Sequence, residues 1–189
     1  MSVPLLDDAV TLAYPVLFHL AQATGPAAAI VLATVAVRLL LFPLTLAAIR
    51  GERARAGKTG ANPLAGCLPL LLQAPFFLLT YRLFLSPTIG GQANALLHGT
   101  LFGAPLWSHL LGGHPLVFLP FLVALAGLAW WTVRRTRRLA GSAAPRGLVA
   151  LLPYGTLLSA AVVPLAAVLY LVTTTAWTVA ESAVLRRPR

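Results

Sequence analysis

Cysteine, acid and lysine are nearly missing from this sequence of 189 residues. Cys67 is the one cysteine, which excludes an internal disulfide and any cysteine-cluster metal site. Acidic residues number four, against fourteen basic ones, and Lys58 is the single lysine among them. No nucleophile constellation or metal-ligand set is apparent, so neither enzymatic activity nor a cofactor is expected. His98, His109 and His114 share a loop, but their spacing is not that of a zinc site. Charged residues make up only 10% of the chain and hydrophobic ones 59%. A soluble domain carries about 25% charged residues, so the chain is read as an integral membrane protein. The start, MSVPLLDDAV, has no basic n-region, and a cleaved secretory signal is not expected. There is no internal repeat and no inverted pair of broken helices, which argues against the common secondary-transporter plans.

What is present is a series of long apolar runs separated by short basic loops. The net charge of +10 would suggest nucleic acid in a soluble protein. Here the basic residues lie between apolar runs, so they act as topology signals and as contacts for anionic lipid, with no nucleic-acid sequence readout. Residues 1–25 carry Asp7, Asp8, Pro15 and His19 and read as an amphipathic helix at the outer interface. Residues 26–189 read as an all-α, polytopic core with five transmembrane helices, at about 26–48, 64–85, 115–133, 148–162 and 165–183. The last two come from a single apolar stretch. As one straight helix, residues 147–185 would reach about 58 Å, nearly twice the hydrocarbon thickness, so the stretch must fold back, and Pro164 is the best turn. Lys and Arg then fall on one side: Arg50 to Lys58, Arg134 to Arg146, and Arg186 to Arg189. The positive-inside rule predicts an outside N-terminus and a cytoplasmic C-terminus.

Arg38 stands near the middle of the first run. A charge at the bilayer centre costs about 2.5–3.5 kcal/mol on insertion scales. Arginine cannot shed its proton to avoid that cost. Arg38 must therefore face water, an anion or a polar cavity, unless it serves a structural role by capping neighbouring carbonyls. Gln73 is a second polar group inside a span, either in an interhelical hydrogen bond or lining a cavity. In the last run Tyr170, Thr173, Thr174, Trp177, Thr178 and Glu181 recur at three- and four-residue spacing, on one side of a helix.

Three segments, VRLLLFPLTL (37–46), NPLAGCLPLLLQAPFF (62–77) and VVPLAAVLYLVTTTAW (162–177), resemble the YidC/Oxa family of membrane protein insertases. The resemblance covers essentially the whole chain and agrees in the order and number of spans. It implies a membrane protein insertase and chaperone of the bacterial plasma membrane, with a hydrophilic groove open to the cytoplasm. Arg38 matches the groove arginine, and Gln73, Tyr170, Thr173, Thr174 and Trp177 are candidates for lining it and binding clients. Nascent membrane proteins are the implied partners, and the Sec translocon is a further candidate. The chain departs from the family in its first cytoplasmic loop, where about fifteen residues with Gly51, Gly57 and Gly60 replace a long helical hairpin, and in its short tail. Ribosome affinity is accordingly expected to be weak. Two other readings compete. One is a small anion-selective channel or transporter, which would need a ring of polar residues. The other is a non-inserting paralogue packed against another membrane complex.

Overall fold

Proline punctuates this chain at helix starts, where a missing N–H costs nothing. A computed structural model of the chain describes residues 4–55, 88–89, 92–94, 99–140 and 147–185. Helix α1 (Pro4–Thr24) is followed by α2 (Pro26–Arg55). Gly25 joins them at φ +88°, the left-handed region. Its N–H donates to the Ala21 carbonyl at 2.9 Å, and its own carbonyl accepts from Ala29 at 2.9 Å. One residue thus ends α1 and opens α2, a role glycine takes without the steric cost of a Cβ. Helix α1 packs on α2 and buries Leu17, with Tyr14 and Ala21 against the core, while Leu12 and Val16 stay exposed.

Two small hairpins follow, β1 (Thr88–Ile89) with β2 (Gln92–Ala93), and β3 (Thr100–Leu101) with β4 (Ala104–Pro105), both antiparallel. The β3–β4 turn is Phe102–Gly103, with φ values of 50° and 81°. Positive φ at both central residues is the type I′ geometry that matches the strand twist of a tight hairpin. The sequence predicts loop here, because Phe-Gly is not a usual signal for such a turn.

Helix α3 (Pro115–Ala140) comes next, then a 3-10 segment (Gly147–Tyr154) continued by α4 (Gly155–Val162), and α5 (Leu165–Leu185). The chain reverses at Val163, in extended conformation, and Pro164. The 3-10 segment with α4 reaches about 28 Å, since a 3-10 turn rises about 2.0 Å per residue. Among the described residues, three helices are long and apolar enough to cross a membrane: Pro26–Gly51, Pro115–Arg138 and Leu165–Leu185. The chain is an all-α, multi-pass membrane protein. The segment expected to span at 64–85, with Cys67 and Gln73, lies outside the described residues.

Two boundaries differ from the sequence reading. The polar stretch after Ile49 was expected to be loop, yet α2 continues through Gly51 to Arg55. One helical glycine costs only about 1 kcal/mol, which the flanking Arg, Glu and Ala residues offset. The RRTRR cluster after Val133 likewise belongs to α3, with Arg137 and Arg138 in its last turn, where cations favour the helix dipole.

Helices α2, α3 and α5 run parallel. The starts of α2 and α5 meet the same β3–β4 segment: Gly99 lies against Pro26, and the Leu106 and Ser108 carbonyls accept from Ala166 and Leu165 N–H, each at 2.9 Å. Further along, Arg38 bonds Thr174, and Arg135 Nη2 donates to the Ser182 carbonyl at 2.8 Å. The core lies among these helices, with Ile30, Phe118, Leu125, Leu165, Ala166 and Val168 at its centre. In lipid such contacts hold by close packing rather than by water exclusion.

Candidate functional site

Arg38 of α2 reaches across to α5. Its Nε donates to Thr174 Oγ1 at 3.0 Å, and Nη2 donates to the same oxygen. A longer contact of 3.5 Å joins Nη2 to the Thr174 carbonyl, at the weak limit of a hydrogen bond. Thr174 is buried, and its carbonyl also accepts from Thr178 Oγ1 at 2.9 Å. The guanidinium therefore grips one residue along one edge. Among the described residues Nη1 has no partner; its two N–H groups are further donors of the planar fork.

One acid, Glu181, shares the face of α5 that carries Thr174. Tyr170, Thr174, Trp177 and Glu181 follow one another at intervals of four, three and four, so they share a helix face. Tyr170 is buried, and Trp177 is half-buried. One Glu181 carboxylate oxygen, Oε1, is screened from solvent. Thr173 belongs to a neighbouring stripe and donates its hydroxyl to its own helix, to the Leu169 carbonyl at 2.8 Å. Of the residues singled out from sequence, the structure joins Arg38 to Thr174, and Tyr170, Trp177 and Glu181 share the Thr174 face of α5. Gln73 lies outside the described residues. The Arg135–Ser182 contact and the Leu106–Ser108 cap of α5 were not foreseen. A basic residue one turn after Trp131 hinted at the first, but nothing in the sequence marks the second.

Burial changes sharply at this pair. Before Arg38, α2 buries Ala29, Ile30 and Thr34. Before and at Thr174, α5 buries Leu165, Ala166, Val168, Leu169, Tyr170 and Thr174. Beyond Arg38 and Thr174, among the described residues, no side chain of either helix is buried. Among the described residues, the buried side chains of the two helices thus run from their starts to the Arg38–Thr174 bond and end there. Pro43 lies beyond Arg38 in α2, where it withholds the N–H that an uninterrupted helix would give to the Leu39 carbonyl.

Comparison with known proteins places the chain. Residues 56–189 match the model of the family described as 60Kd inner membrane protein. The chain belongs to that family, the YidC/Oxa1 family. Two curated relatives carry the name Membrane protein insertase YidC. The one from Pediococcus pentosaceus is 30% identical over 136 residues, covering 69% of this chain and 44% of the relative. The one from Campylobacter jejuni is 34% identical over 86 residues, covering 31% of this chain and 16% of the relative. The chain thus spans less than half the length of either. No solved structure matches it. The family match includes Thr174 and begins after Arg38, so the pairing of these two residues is a result of the structure.

Proposed function

We propose that this protein is a membrane protein insertase, in which Arg38 attracts the polar segment of a client into a cleft between α2 and α5. The observation that carries this reading is the position of the Arg38–Thr174 pair. It lies where, among the described residues, the buried side chains of α2 and α5 end, and we read the stretch beyond it as the open half of the helix pair. A carboxylate approaching through the open half accepts a charge-assisted hydrogen bond from Nη1. Such a hydrated, positive cleft shortens the low-dielectric distance that a polar segment must cross, and the apolar part of the client passes sideways into lipid. No covalent bond changes. Gln73, Tyr170, Thr173, Thr174 and Trp177 are assigned to the cleft or its walls.

The basic residues at the ends of α2 and α3, with those that follow α5 in the sequence, support an orientation with the open half toward the cytoplasm. In it the N-terminus is outside, the C-terminus inside, and the chain crosses five times. Arg134, which stacks over Trp130 with 4.4 Å to the ring centroid, and the exposed Arg137 and Arg138 suit anionic lipid headgroups at that face. Nascent membrane proteins are the clients, the Sec translocon is a candidate neighbour, and ribosome docking is weak.

The test is insertion of a client with an acidic translocated tail into liposomes that contain the purified chain. Arg38→Lys keeps the cation but loses the planar fork and should retain part of the activity, whereas Arg38→Ala should lose most of it. Equal insertion by the Ala variant would remove the electrostatic role. An ion flux without insertion would favour a channel. Neither insertion nor flux would favour a paralogue that only packs with another complex.

A further inference from the structure

The outer ends of α2 and α5 are joined through one short segment, residues 99–108. At one end of it, a Cβ placed on Gly99 would come within 2.5 Å of both Pro26 Cβ and Cγ, and 3.2 Å from Leu106 Cδ1. Real Cβ atoms essentially never approach that closely, so the Gly99 backbone rests directly on the first residue of α2. At the other end, the Leu106 and Ser108 carbonyls accept the first N–H groups of α5. Those donors are orphaned at any helix start and need outside partners. Between the two ends, Leu106 N–H donates to the Gly99 carbonyl at 2.9 Å, and the type I′ turn at Phe102–Gly103 holds the strands in register. Ala104, Leu106 and Ser108 are all buried. The segment is a continuous chain of contacts: Pro26, Gly99, Leu106, then Ala166.

We propose that residues 99–108 are a positioning strut for the Arg38–Thr174 pair. The strut fixes the distance and the axial stagger of α2 and α5 at their outer ends. Arg38 and Thr174 lie about 18 Å and 13 Å along their helices from those ends. With no buried side chain beyond the pair on either helix, among the described residues, the register of the bond is set from the strut side. The strut touches neither Arg38 nor a client. It acts through the helices, and its role in insertion rests on the function proposed above.

The experiment introduces Gly99→Ala in the full chain, with Phe102→Gly as a control that keeps the turn and removes only a strained φ. Spin labels at Ala47 and Ala180, in a Cys67→Ser background, report the separation of the inner helix ends in liposomes. Insertion of the acidic-tailed client is measured beside it. The added Cβ should shift or broaden the label distance, and insertion should fall by about tenfold, less than the roughly 100-fold that a 1 Å misplacement can cost a positioned site. Adding Pro26→Gly, which removes the atoms the new Cβ meets, should restore both readings. Combined with Arg38→Ala, Gly99→Ala should cause no further loss, because both act through the same pair. An unchanged label distance overturns the strut, as does a loss that multiplies with that of Arg38→Ala. If the unaltered chain inserts nothing, the proposed function fails, and the label distance still decides the strut.

Discussion

Replacing Thr174 by Val tests the central bond without assuming any activity. The substitution keeps the β-branched shape on α5 and removes Oγ1, the acceptor for both Arg38 Nε at 3.0 Å and Nη2. Among the described residues, the carbonyl contact at 3.5 Å is what remains to Arg38. Neutral hydrogen bonds between membrane helices average about 0.6 kcal/mol, with a maximum near 1.7. Bonds to charged groups in soluble proteins contribute about 1.5–3 kcal/mol. Arg38 sits at the edge of the open half, so water can reach its freed donors and offset part of the loss. The expected cost is therefore about 1–1.5 kcal/mol, near the upper end for membrane helices. Unfolding free energy, measured by titrating SDS into the detergent-solubilised protein and following circular dichroism, gives the single effect. A double-mutant cycle with Arg38→Met isolates the pair, and its coupling should be about 1 kcal/mol. Thr174→Ser, which keeps the oxygen, should retain most of that coupling. Additivity within about 0.3–0.5 kcal/mol is the mark of independent sites, and finding it here would refute the bond as a feature of the protein in a micelle.

Three further outcomes follow from other parts of the fold. Gly25→Ala should destabilise by about 1–2 kcal/mol in the same SDS titration, because an L-residue is strained at φ +88° and nothing lies within 4 Å of the new Cβ to compensate; an unchanged midpoint would mean that the α1–α2 corner relaxes freely. Arg135→Ala should remove the 2.8 Å bond to the Ser182 carbonyl and cost about 1 kcal/mol. Amide exchange in the last turn of α5 should rise, and no rise there would show that the contact does not hold that end. For orientation, Cys at Leu111, which is 94% exposed beyond the hairpins, should react with an impermeant thiol reagent added to intact cells, and Cys at the exposed Thr136 should not. Ser108 makes a poor reporter for that purpose, since it is only 3% exposed. Labelling of the Thr136 site from outside would reverse the topology.

Helix positions were legible because each depends on local chemistry. Pro26, Pro115 and Pro164 mark helix starts, and uninterrupted apolar runs follow them. Helix ends were less legible. The basic residues after Ile49 and Val133 look like loop when only hydropathy is read, but Arg is a good helix former, and a helix longer than the hydrocarbon has no reason to stop at its edge. At about 45 Å, α2 exceeds the roughly 30 Å of hydrocarbon, so its basic turns extend past the membrane as helix. The small hairpins escaped because two-residue strands carry no periodicity.

The site was legible in proportion to how much of it is side-chain charge. Arg38 stands out in any sequence reading, since a guanidinium in an apolar run has few acceptable surroundings. Its partner does not stand out. Thr173 and Thr174 are chemically identical neighbours, and their roles diverge only through the rotation of α5, which the packing of Leu165, Ala166, Val168 and Leu169 fixes. That rotation turns Thr174 toward α2, while the Thr173 hydroxyl goes to the Leu169 carbonyl. The strut leaves little trace, because it works through the Leu106 and Ser108 carbonyls and through a missing Cβ at Gly99. Backbone groups are the same in every residue, so a sequence shows where a charge must be sheltered but not what sets the distance of its shelter. In this protein that distance is set roughly 18 Å away from the charge, by a segment whose only signature is one glycine too crowded to be anything else.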